Sequence, residues 1–211
     1  MKFTSFAAVA ATAALIALAV PSAASAAPTS GPASVEIAAA SMEQLPPDVR
    51  SQIEELEANW SRIGAASTTD DGIVTFDLAG AIGKGVPREL ARDFAQGVAI
   101  GGGHVVNDNG EFPSRLSARA TCRGQNAFWY DWIGYHFKLD SCITPKVVKA
   151  IAGTAGVAGV LGALSAAFPP TSLPLVAVGA VAAYSAWSID QCSKNGTGVE
   201  MSLAGFVCWA Q

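Results

Sequence analysis

No charged side chain occurs between Lys149 and Asp190. A run that apolar is either a membrane span or a deeply buried pair of helices. Charge is sparse elsewhere too: Asp, Glu, Lys and Arg make up 14% of the chain, with a formal net charge of −4. That balance argues against a nucleic-acid partner, which needs a concentrated basic surface. Catalytic signatures are missing as well. There is no GxSxG elbow, no HExxH helix, no phosphate-binding loop and no CxxC pair. The only histidines are His104 and His136. His104 follows three glycines and reads as a loop residue, while Asp131 and Asp140 flank an aromatic segment without the pattern of a glycosidase. Enzyme is therefore the least supported class, and neither a cofactor nor a metal is expected.

The N-terminus reads as an export signal. MKFTSF supplies one Lys, AAVAATAALIALAV an apolar core, and Ala24-Ser25-Ala26 a small-x-small cleavage pattern, so residues 1–26 are expected to be removed. The expected location is secreted and extracellular, where disulfides persist. All four cysteines, Cys122, Cys142, Cys192 and Cys208, lie in the second half. Charge divides the chain in the same place. Residues 27–119 carry thirteen acidic against seven basic side chains, and residues 120–211 carry four against five.

The acidic half, read as a unit over 27–100 that serves as a pro-region, offers two amphipathic helices. In LPPDVRSQIEELEANWSRIGAA, residues Val49, Ile53, Leu56, Trp60 and Ile63 form one apolar stripe behind Pro46 and Pro47. In VPRELARDFAQGVA, residues Leu90, Phe94 and Val98 do the same. DDGIVTFDL between them alternates as a turn and one short strand. So thin a core is expected to lean on the other half. Residues 101–121, rich in glycine, read as a linker, with Arg115, Arg119 and Arg123 as possible processing sites.

In the second half, NAFWYDWIGYHFKLD reads as one extended strand with two faces. Trp129, Ile133, Tyr135, Phe137 and Leu139 point to the core; Phe128, Tyr130, Trp132 and His136 form a candidate binding face. A helix is expected from Thr144-Pro145 to Phe168, and a second from Ser172 to Ser193, followed by the one-sided strand TGVEMSL. Small residues at Gly153, Gly156, Gly159 and Gly162, opposite Gly179 and Ala183, are expected to let the two helices pack closely against each other. The fold class is thus α+β, helix-dominated: an acidic helical unit, then a strand–helix–helix–strand unit over 122–211 built on an apolar antiparallel hairpin. Such a hairpin brings its ends together, so nested disulfides are expected, Cys142 with Cys192 and Cys122 with Cys208.

The aromatic WxxGYHF segment, the Gly/Ala-rich hairpin and the closing GVEMSL strand together resemble small, largely uncharacterised secreted proteins of Gram-positive bacteria, chiefly actinobacteria. The resemblance spans residues 122–211 and implies no particular reaction. Two functions follow as expectations. One is a membrane-active, bacteriocin-like factor whose hairpin is masked by the acidic half until it meets a lipid membrane. The other is a soluble extracellular module whose aromatic face binds a cell-wall glycan or a protein ligand. The sequence sets no oligomeric state.

Overall fold

A computed structural model describes residues 42–112, 121–153, 155–204 and 206–211. The export signal at 1–26 and the processing candidates Arg115 and Arg119 lie outside the described residues. Within them the chain is α+β and helix-dominated, with seven α-helices and two small sheets.

The acidic half begins with α1 (Pro47–Ala65), whose Pro46-Pro47 start and Asp48 in the first turn follow the expected pattern. β1 (Ser67–Asp70) and β2 (Ile73–Asp77) then form a hairpin. Asp71 and Gly72 at its tip both have positive φ, the conformation a tight two-residue hairpin demands. β1 escapes the apolar pattern because its sequence, STTD, is polar and largely exposed. Next come α2 (Leu78–Gly83), capped by the Asp77 side chain, and α3 (Arg88–Gly101). The glycines expected to open a linker instead end α3, with Gly102 in the left-handed region, and admit β3 (His104–Val106), which pairs parallel with β2.

The segment expected as one strand is a hairpin, β4 (Ala127–Tyr130) and β5 (Tyr135–Leu139). Four helices follow: α4 (Thr144–Ala152), α5 (Gly156–Leu164), α6 (Leu175–Ala183) and α7 (Ala186–Cys192). β6 (Val199–Ser202) and β7 (Val207–Ala210) close an antiparallel sheet of order β4-β5-β6-β7.

The two long helices of the expected hairpin are therefore each broken. The first stops at Gly153 and restarts at Gly156, where φ is +58° and the Gln52 side chain of α1 accepts the Val157 N–H at 2.9 Å. The second stops at Tyr184, which is extended, and Ser185 caps α7 by accepting from Ser188 N. Tyr184 is fixed there because its hydroxyl donates to the carbonyls of Ser202 (2.8 Å) and Val207 (3.0 Å). Burial pushes that phenol well above its ordinary pKa. Among the described residues no helix is long and apolar enough to cross a membrane. Nine residues span only ~14 Å of a ~30 Å hydrocarbon core.

The small residues also pack elsewhere than expected. Gly159 and Gly162 face α3 rather than α6: a Cβ on Gly97 would stand 2.0 Å from the Gly159 carbonyl oxygen, and one on Gly162 would stand 2.5 Å from that of Phe94. Gly179 lies against Ile53 and Val49 of α1, and Gly156 against Gln52. Gly153 ends α4 near Gln96 of α3, and Ala183 closes α6 half-buried. The close approaches are thus made to the acidic half, because its helices carry the apolar stripes that need a flat counter-surface. One continuous core results, taking Ile53, Phe76 and Phe94 from the first half and Phe137, Leu161 and Met201 from the second.

The cysteines pair locally, not in the nested arrangement: Cys122 with Cys142 (Cα–Cα 5.3 Å) and Cys192 with Cys208 (5.8 Å). Asp140, 8% exposed, anchors the first pair. Its Oδ1 accepts the N–H groups of Cys142 and Ile143, both at 2.8 Å, and its Oδ2 accepts from Asn126 at 2.7 Å. Asn126 returns the contact by accepting the Asp140 N–H at 2.8 Å. Replacing Asp140 with Ala strands three donors, so a loss of roughly 2 kcal/mol is expected in chemical denaturation. Asp140→Asn keeps the acceptor for the two backbone groups and is expected to lose about half as much.

Candidate binding groove

A concave surface lined by aromatic side chains forms at the tip of the β4–β5 hairpin. Its turn is set by Asp131 and Gly134, whose backbone groups exchange hydrogen bonds of 3.1 Å. The Asp131 carboxylate accepts the Ile133 N–H at 2.8 Å and the ring Nε2 of His136 at 3.1 Å. Gly134 has φ +137°, and a Cβ there would press on the Ala204 methyl at 3.1 Å, so the position requires glycine. Burial pushes the Asp131 carboxyl upward, but the Ile133 N–H, His136 and the Gly134 N–H outweigh it and hold the group below its ordinary range. The acid of the turn thereby stays ionised and holds its hydrogen bonds.

The turn leaves the two central residues, Trp132 and Ile133, pointing off the body of the protein. Trp132 is 91% exposed. Tyr130 and Tyr135, with rings 4.9 Å apart, stand behind them. Opposite lies the β6–β7 connection with Leu203, Ala204 and Phe206, the last held at φ +49° against the Tyr184 ring at 5.3 Å. Val176 and Ala180 of α6 form the floor, and Leu45 with Gln44 closes one end. The groove measures about 370 Å3, the scale of a small-molecule or side-chain pocket. None of the described residues lining it is charged. Burial, and then the neighbouring Tyr130, raises the Tyr135 phenol, so its hydroxyl stays a neutral donor at physiological pH.

Of the expected binding face, Tyr130 and Trp132 belong to this groove, and Phe128 and His136 do not. The turn reverses the chain, so the alternation does not run through it: Phe128 and Tyr130 share a face with Tyr135 and Phe137, and Trp129 shares one with His136. Phe128 pairs with Phe137 and packs inward with ring centroids 4.8 Å apart. His136 lies on the opposite face beneath Trp129, stacked at 4.9 Å, and is 6% exposed. Trp129 likewise moves off the expected core face and sits below Lys138, whose Nζ is 5.5 Å from its ring. Ile133, Tyr135, Leu203 and Phe206 are groove residues that strand alternation does not find. Asp131-Trp132-Ile133-Gly134 carries the signal that does, since Asp at the first and Gly at the fourth position mark a turn.

Two other clusters offer less. Cys122, Asp140 and Cys142 lie close together, but the sulfurs are joined and the carboxylate is taken up by Asn126 and the start of α4. His136 has its Nδ1 buried without a hydrogen-bond partner, yet none of the described nucleophiles is bonded to it. Arg123, the described processing candidate, is pinned by Ser141 through both its N–H (2.8 Å) and its carbonyl (2.8 Å). A cut there would leave the halves tethered through Cys122, so only cleavage before Cys122 separates them. Comparison with protein-family profiles, with curated proteins and with solved structures finds no match for this chain.

Proposed function

We propose that the chain is an exported binding module that holds an extracellular protein partner by apolar side chains seated in the hairpin-tip groove. The observation that carries this reading is the convergence of Tyr130, Trp132, Ile133 and Phe206, all more than 40% exposed, on one uncharged concavity. Exposed aromatics around an apolar pocket are the ingredients of an interface hot spot, and depletion of charge marks the centre of such interfaces. A polysaccharide would call for more hydrogen-bonding side chains than the Gln44 amide, the Trp132 indole N–H and two tyrosine hydroxyls provide.

The test is binding by the wild-type chain and by Trp132→Ala to the secreted proteins and, separately, to the cell-wall glycan of the producing cells. Trp132→Ala is expected to weaken protein binding by about 2 kcal/mol, roughly thirtyfold, with an unchanged melting temperature because the ring packs on little. Loss confined to the glycan arm transfers the groove to a sugar ligand. Equal binding by both chains removes the groove from function.

A second reading rests on a different observation. α5 and α6 carry no charge and are covered by α1 and α3 of the acidic half. On this reading the chain is membrane-active, and separating the halves bares an apolar surface that binds lipid. A fragment beginning near Ala120 is then expected to leak dye from liposomes that the intact chain leaves sealed.

A further inference from the structure

β7 is the outer strand of the second sheet, and we propose that it is a self-pairing edge through which two copies of this chain join their sheets. The hydrogen-bond ladder shows which groups of β7 face outward. Leu203 N donates to Tyr135 O at 2.9 Å, so the odd-numbered residues of β6 bond to β5. Gln211 N donates to Gly198 O, so the even-numbered residues bond to β7. Bonded and non-bonded pairs alternate along an antiparallel ladder, which makes Ser202 with Val207 and Glu200 with Trp209 the bonded pairs. The N–H and C=O groups of Cys208 and Ala210 therefore point away from the sheet. Among the described residues nothing bonds to them.

A second β7, antiparallel to the first, satisfies these groups when a two-fold axis passes beside Trp209. Cys208 of each copy then exchanges hydrogen bonds with Ala210 of the other, and the two Trp209 residues meet in the close non-bonded position, ~4.5 Å between Cα atoms. Aromatic pairs are favoured there. The alignment is self-complementary, which is what makes a copy of the same chain the fitting occupant.

Nothing in the strand opposes such pairing. Edge strands are ordinarily blunted by Lys, Pro or a bulge, but Phe206–Ala210 contains neither a charge nor a proline and runs in unbroken register with β6. Val207 and Trp209 are 51% and 44% exposed on one face, and Trp187 of the disulfide-joined α7 is 71% exposed. The nearest acid across the sheet, Glu200, is matched by Lys138 at 3.1 Å, so two negatively charged chains meet here without local repulsion. The strand is also pre-ordered. The Gln211 side chain just beyond it donates to the carbonyls of Gln125, Leu139 and Val199 at 2.9–3.1 Å, so little freedom is lost on pairing. Four residues and the two exposed side chains of Val207 and Trp209 make a small interface, consistent with reversible, micromolar-range association.

Sedimentation equilibrium on the intact chain tests this. A monomer–dimer equilibrium is expected, weakened at least about tenfold by Trp209→Lys, which sets two like charges on the axis, and unchanged by Trp132→Lys in the separate groove. Register is read independently, without adding charge. Trp209→Cys is expected to cross-link to itself on mild oxidation, whereas Val207→Cys is not, since that alignment sets the two Val207 positions ~14 Å apart. A monomer at every concentration, a dimer indifferent to Trp209→Lys, or equal cross-linking at both positions overturns the proposal. If Trp209→Lys loses its melting transition, the cysteine pair alone decides.

Discussion

Gly97→Val is expected to cost at least ~3 kcal/mol, the upper end of what overpacking does to a core. The contact it violates is backbone on backbone. A Cβ at that position would stand 2.0 Å from the Gly159 carbonyl oxygen and 2.9 Å from its Cα. No rotamer relieves such a clash, so α3 and α5 must part along the seam where Gly162 in turn rests on Phe94 and Gly97. Small domains hold only ~5–15 kcal/mol in all, so a populated unfolded or opened state is expected at moderate denaturant. Gly64→Ala is the control of opposite sign. That site lies in α1 with open space around it, and a gain of up to ~1 kcal/mol is expected from helix propensity alone. If Gly97→Val melts where wild type does, the halves are not locked by this seam. The same variant informs the membrane-active reading: an opened seam that leaves liposomes intact argues against it.

Much of the fold is legible in the residues themselves, and the failures share a cause. α1 and α3 are announced by apolar side chains three and four apart, because each buries one face and leaves the other exposed. α5 is buried on every side, so its sequence has no polar face to give it phase. Nothing local then reports where it begins, or that its glycines meet Gly97 and not Gly179. The breaks at Gly153 and Tyr184 depend on distant partners, Gln52 for one and the carbonyls of Ser202 and Val207 for the other. The groove behaves likewise. Tyr130 and Trp132 are visible as aromatics on a strand, but Phe206 and Val176 arrive from residues 40 or more positions away. The Asp131–Gly134 turn is readable, and a continuous strand drawn through it exchanges the faces of Phe128 and Trp129 before it, while Phe137 and Leu139 after it are core as expected.

Removing the Cys192–Cys208 bridge by paired Ser substitutions is expected to cost about 3 kcal/mol, and removing Cys122–Cys142 distinctly less. In the chain-entropy model both loops, separated by 16 and 20 residues, restrain the unfolded chain to a similar extent. The difference lies in what remains in the native state. Residues near Cys122 stay held by Arg123 against Ser141 and by the mutual Asn126–Asp140 pair. Apart from the Tyr184 hydroxyl just before it, α7 is tied to the sheet by the bridge to β7, where Cys208 Sγ also approaches the Ser188 carbonyl at 3.5 Å. Denaturant midpoints of the two double variants measure the asymmetry, and equal losses would show that loop entropy alone sets the effect. The pairing itself is directly readable. Trypsin sites at Arg123, Lys138, Lys149 and Lys194 place the four cysteines in four different peptides. Without reduction, the peptide ending at Arg123 should carry the one beginning at Leu139, and the peptide of residues 150–194 should carry 195–211. A link from the Arg123 peptide to 195–211 would restore the nested arrangement. It would also remove the covalent tie between α7 and β7 on which the larger loss depends.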